Sequence, residues 1–153
     1  SWFLPHARAT VRAKLDALMH DTGLIVDLDK TVAELPVGER QRLEILKALY
    51  RGARILILDE PTAGLDLAAA FDYLDRIRRL AAVGKNIVLV SHTPGEIPPE
   101  IQRIVLLRAG RVIADGVKDR VLTEHNLQQT YGVGVRIAAV DGYYFTYPAS
   151  SGG

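Results

Sequence analysis

None of the chain's 153 residues is a cysteine, which excludes a disulfide scaffold and a thiolate metal site and is compatible with the cytosol. Charge of either sign is nearly balanced. The 19 Lys and Arg against 18 Asp and Glu leave a formal net charge of +1, so composition argues for neither a nucleic-acid groove nor an anionic membrane surface. No apolar run approaches the ~20 residues needed to span a bilayer. Ser1-Trp2-Phe3-Leu4-Pro5 lacks the basic start and the long apolar stretch of a signal peptide, and a start without Met suggests a piece of a longer protein. Internal repeats are absent, and only Ser150-Ser151-Gly152-Gly153 reads as a floppy tail. What remains is globular in composition, 48% hydrophobic and 24% charged. It is long enough for one domain, or a large part of one, with a real core.

Hydrophobic spacing predicts the elements. Val11, Leu15, Leu18 and Met19 form a helical stripe within residues 7–22, stopped by Gly23. A second helix is expected over Gly38–Arg51, with Leu43, Leu46 and Tyr50 on one face and Gly52 after it. Ile55-Leu56-Ile57-Leu58 reads as a strand buried on both faces of a parallel sheet, ended by Asp59-Glu60-Pro61. Residues 68–82 return to helical spacing through Phe71, Leu74, Ile77 and Ala81, and Ile87-Val88-Leu89-Val90 is a second apolar strand. Strand, helix, strand in that order make a βαβ unit. Beyond Pro98-Pro99 the pattern predicts a hairpin of Arg103–Leu107 with Arg111–Ala114, then one helix over Val121–Tyr131 capped by Thr123. A last hairpin, Val135–Val140 with Tyr143–Tyr147, turns about Asp141-Gly142. Tyr143, Phe145 and Tyr147 alternate onto one face, which reads as aromatic packing of an edge hairpin.

The chemistry concentrates at Ile55–Glu60. Two carboxylates at the carboxyl end of a central strand stand where open α/β sheets bind ligands. On an extended chain the two would point to opposite sides, so that one could serve a hydrated magnesium ion and the other an attacking water. Alone, such a stretch also fits a solvated turn. Its neighbours narrow the choice: Leu35-Pro36-Val37-Gly38-Glu39-Arg40-Gln41-Arg42 opens the second helix, Gly64-Leu65-Asp66 follows the acids, and Ser91-His92 ends the next strand.

In order and spacing these segments resemble the ABC ATPase family, with signature motif, Walker B strand, D-loop and H-loop. The likeness covers about residues 7 to 132 and is most specific in Ile55–Asp66 (ILILDEPTAGLD). It implies a partial P-loop NTPase fold: a parallel βαβ core with a helical subdomain and C-terminal β-hairpins, without the N-terminal Walker A sheet. The implied parts are a helical subdomain with the signature over 1–52, a Walker B, D-loop and H-loop core over 53–132, and a hairpin and tail over 133–153. It further implies ATP and Mg2+ as cofactors. Asp59 would hold the metal through water, Glu60 would position and activate the hydrolytic water, and His92 would contact the γ-phosphate. Asp66 would link the two sites of a dimer. Leu35, Pro36, Val37, Gly38 and Glu39 would face ATP held by the partner subunit. A glycine-containing helix start has independent physical sense as an anion site, because its free N–H groups and dipole favour negative charge. His92 by itself would pass for a structural histidine.

Two departures stand out. Pro36 occupies the place of the family's usual Ser and offers neither hydroxyl nor N–H. And no stretch reads G-x-x-x-x-G-K-[ST]: beside Gly84-Lys85, Arg79 holds the first glycine position and Asn86 the Ser/Thr position. A backbone cradle for the α/β-phosphates, a lysine for the β/γ-phosphates and a hydroxyl for the metal are therefore missing, an absence that reads as truncation. Residues 12–62 resemble importers of simple sugars or nucleosides, whereas residues 64–147 look more like ATPases of the iron-chelate or molybdate type. The expectation is the energy-coupling subunit of a membrane transporter, on the cytoplasmic face of the membrane. Its partners would be a second ATPase subunit, head to tail, and an integral membrane permease, with no nucleic acid. A soluble ABC ATPase of DNA repair or translation, and a non-catalytic interaction module, are the competing readings.

Overall fold

A computed structural model describes residues 3–149, with the side chains of residues 8–149; the expected tail at 150–153 lies outside them. The chain divides after Val90 into two units, each with its own core.

In the first unit, α1 spans Phe3–Thr22 and α2 Val37–Tyr50. Gly23, at φ +69°, ends α1 in the left-handed conformation that side chains resist. The parallel pair β1 (Ile55–Asp59) and β2 (Asn86–Val90) is joined through α3 (Leu67–Ala82), with Leu56 opposite Ile87 and Leu58 opposite Leu89. The predicted βαβ unit is thus present. Its core gathers Met19, Leu24, Val26, Leu35, Ile45, Leu46, Leu49, Leu56, Tyr73, Leu74, Ile77 and Leu80. Full burial of one such aliphatic side chain stabilises by roughly 1.5–3 kcal/mol. Burial also pushes the Tyr73 phenol up to about 12.

Several expectations fail here. The strands are not buried on both faces: Leu56 is 5% exposed, but Ile55 is 60% and Ile57 71% exposed, and Val88 and Val90 on β2 are open as well. The helices cover one face of a two-stranded sheet, and the alternating side chains fall on the other. Phe71 is not on the buried face of α3 either. It lies 62% exposed, and Tyr73 and Leu80 take the core positions beside Leu74 and Ile77. Likewise Val11 is exposed, and α2 turns Ile45 and Leu49 inward with Leu46.

In the second unit, β3 (Arg103–Arg108) pairs antiparallel with β4 (Arg111–Val117), and β5 (Val135–Val140) with β6 (Tyr143–Pro148). Asp141 and Gly142, at φ +51° and +80°, form the tight turn their sequence predicts. The single helix expected over Val121–Tyr131 is two, α4 (Lys118–Val121) and α5 (Glu124–Tyr131). Thr123 takes an extended conformation between them and accepts from the Asn126 N–H, so the residue expected to cap does so by interrupting the helix. Ile104, Leu106, Val121, Leu122 and Leu127 form the core, with Tyr144 packed against it. On the other face of β6, Tyr143 and Phe145 have ring centroids 6.5 Å apart, and Phe145 rests on Gly95.

Lys118, which sequence reading passed over, is buried. Its ammonium donates to the carbonyls of Ile97, Pro98 and Gly142 at 3.2, 2.9 and 3.0 Å, joining the segment after β2 to the β5–β6 turn. Burial lowers its pKa, and three carbonyl acceptors compensate the desolvated charge.

Candidate functional site

The period-two alternation of β1 sends Leu56 and Leu58 into the core and leaves Asp59 at the carboxyl end of the open row begun by Ile55 and Ile57. Asp59 is exposed, and among the described residues no cluster of three or more His, Asp or Glu could hold a metal ion. A single carboxylate suits a magnesium ion that keeps most of its waters. The donor set therefore fits a hydrated Mg2+ at the strand end. It offers nothing for the α/β-phosphates.

Glu60 does not continue the strand. Its φ of +43° turns the chain out of extended geometry, so the two acids are separated by a backbone reversal and not by strand alternation as expected. The reversal is held from both sides. The Glu60 N–H donates to Val90 O at 2.9 Å, tying the ends of β1 and β2 together, and its carbonyl accepts from Ala63 N at 3.0 Å. Left-handed non-glycine residues are uncommon and cluster at functional sites. Half-buried Glu60 keeps its Oε1 out of solvent.

The loop then closes in a second turn, Leu65 N to Thr62 O at 3.1 Å, with Gly64 at φ +76°. Pro61 and Thr62 are buried and Asp66 exposed. The Asp66 carboxylate caps α3, accepting from Ala69 N at 2.8 Å, so one of its oxygens already has a helix-starting role. His92, in the second unit, is exposed two residues beyond β2, and its carbonyl accepts from Tyr131 Oη at 2.9 Å.

At the other end of the first unit, Leu35 is buried and anchors the start of α2. Pro36 is its N-cap, extended and without a side-chain cap bond, although its carbonyl accepts from Arg40 N at 3.0 Å. Val37 is exposed and Gly38 half-buried. The N–H groups of the first turn have no intrahelical partners. Glu39 points back, its Oε2 accepting from Asp27 N at 3.3 Å. Sequence reading named Arg42 only as the end of the segment that opens this helix and gave it no role. One turn after Gly38, this arginine reaches Ile25 O, Asp72 and Glu39. A cation four residues past the glycine was the available signal.

A family model described as ABC transporter matches residues 5–63. The nucleoside import ATP-binding protein NupA of Lactococcus lactis is 41% identical over 104 residues, 68% of this chain and 21% of that protein. The macrolide export ATP-binding/permease protein MacB of Neisseria gonorrhoeae is 35% identical over 115 residues, 75% of this chain and 18% of its own length. The solved CbiO1 of Clostridium perfringens, part of the transporter complex CbiONQ, superposes with a TM-score of 0.64 at 27% identity, covering 80% of this chain and 49% of that one. An inward-facing metal-chelate type ABC transporter gives 0.62 at 27%, covering 76% and 48%. The chain thus spans about a fifth of these curated relatives and about half of the solved ones. Among the described residues no helix is long and apolar enough to cross a membrane. With its acidic strand end, its reversal at Glu60 and its parallel βαβ unit, the chain belongs to the ATP-binding family of ABC transporters.

Proposed function

We propose that this chain is the signature-to-C-terminus part of an ATP-hydrolysing subunit, which couples ATP turnover to solute transport through an integral membrane permease from the cytoplasmic face. The family is one of ATP-hydrolysing enzymes. The observation that carries the reading is the turn at Glu60, where one backbone bond to Val90 sets the acidic end of β1 beside the end of β2.

In this reading residues 1–52 are the helical subdomain, 53–132 the Walker B, D-loop and H-loop core and 133–153 the closing hairpin and tail. Asp59 would hold Mg2+ by accepting hydrogen bonds from its waters, and the ion would supply positive charge to offset that of the phosphates. Glu60 orients a water and accepts its proton, a task suited to a carboxylate held half out of solvent. His92 donates to the γ-phosphate. Leu35–Glu39 present the first N–H groups of α2 to ATP on a second ATPase subunit, head to tail, and Asp66 links the two sites.

The test joins the chain to the Walker A half of a nucleoside-import relative. Glu60→Gln should lower turnover about 10²–10⁴-fold while leaving Mg-ATP affinity unchanged, because the amide keeps the shape but accepts no proton. Turnover within a few-fold of the parent would remove Glu60 from the chemistry.

A further inference from the structure

Arg42 occupies a junction between three segments. Its Nε donates to Ile25 O at 2.9 Å, in the connection between α1 and α2. Its Nη1 reaches Asp72 Oδ2 on α3 at 3.3 Å, and Nη2 lies 4.0 Å from Glu39 Oε1 in the first turn of its own helix. Asp72 is itself fixed by a forked pair from Arg76, at 2.9 Å on each oxygen. The Arg42 side chain is only 18% exposed. The same guanidinium lies alongside Gly38: a Cβ built there would stand 3.8 Å from Nη1.

We infer that Arg42, braced by Asp72, is the positioning residue for the phosphate-facing start of α2. It locks that turn to α3, whose own start is capped beside the Walker B loop. The inference rests on the proposed role of Leu35–Glu39 and adds the part that sets their place. The physical requirement is a rigid, planar cation. One guanidinium can meet a carbonyl on one side and a carboxylate on the other, whereas a lysine ammonium is a point charge on a flexible stem. Helix-start N–H groups favour an anion only where the helix holds them, and Pro36 contributes no side-chain cap to hold this one.

The test uses the full chain, which has no cysteine and so accepts a spin-label pair at two exposed positions, Arg40→Cys on α2 and Phe71→Cys on α3. The expected result is one narrow inter-label distance in the parent, whose width roughly doubles in Arg42→Lys and in Asp72→Asn with the melting temperature kept within a few degrees. In the cassette completed with a Walker A half, both variants should weaken ATP-driven dimerisation about tenfold at unchanged monomer affinity for Mg-ATP. If Arg42→Lys fails to fold, Asp72→Asn alone decides, since it leaves the cation in place. An unchanged width in the variant that folds overturns the inference, and so does a broadened width with an unchanged dimer. A completed cassette whose turnover survives Glu60→Gln sinks the ATPase reading, and the brace is still judged by the distance distribution.

Discussion

Pro36 shows how one residue separates a helix start from an anion site. As N-cap of α2 it holds an extended backbone, which proline suits, yet it brings no hydroxyl and no N–H. Pro36→Ser adds two donors to a turn proposed to face phosphate, and hydrogen bonds to charged groups contribute ~1.5–3 kcal/mol each before losses to geometry and solvent. In the completed cassette, on the Glu60→Gln background, we expect the substitution to tighten ATP-driven dimerisation about tenfold, read by sedimentation at matched ATP. A weaker dimer would mean that the proline's stiffness is what matters. Glu60 is the contrasting case. Its identity marked it in the sequence, but its left-handed backbone did not, because φ there is set by the bond to Val90 across the strand pair.

Elements repeat the lesson with faces in place of atoms. Four consecutive aliphatics at 55–58 carry no alternation, so sequence could not say which two face the core. Packing against α2 and α3 decided for Leu56 and Leu58. The consequence is measurable by urea denaturation of the chain. Leu56→Ala should cost about 2–5 kcal/mol through lost burial and a cavity, whereas Ile57→Lys should change stability by less than about 0.5 kcal/mol. The reverse order would put β1 in the opposite register, since a slip of one residue exchanges its faces. The misplacement of Phe71 has a similar origin. At 100° per residue, Phe71 and Tyr73 both sit at the margins of the Leu74–Ile77 stripe, and only the neighbouring chain selects between them.

At the scale of the whole molecule, exposed carboxylates are held by partners, two of them across segments and one within a turn. Arg12 holds Asp29 below its ordinary 3.8, Arg103 does the same for Asp115, and hydrogen bonds from Thr31 hold Glu34 below 4.5. Depressed carboxylates stabilise the fold above their unfolded values, and that stability is lost as pH falls through the folded ones. The melting temperature should therefore drop on acidification below about pH 4, and drop less in the Asp29→Asn, Asp115→Asn double variant. Because the pairs are solvent-exposed, salt should also shrink the effect. A drop of equal size in both proteins would place the acid sensitivity elsewhere. The chain as a whole offers no lysine-bearing glycine loop, so titration calorimetry with Mg-ATP should show binding far weaker than micromolar. A micromolar dissociation constant, about −8 kcal/mol, would reveal a phosphate grip that no motif marks.

The sequence by itself determined the family, the order of strands and helices, the turn at Asp141-Gly142 and the identity of the acidic strand end. These depend on local propensities, on fixed spacing and on residue types that few other contexts require. Tertiary structure alone decided which face of β1 is covered, where the helix before Tyr131 breaks, that Lys118 is buried under three carbonyls and that Arg42 joins three segments. Each of those outcomes depends on atoms distant in sequence meeting in space, and spacing along one strand or helix carries no information about what lies across from it.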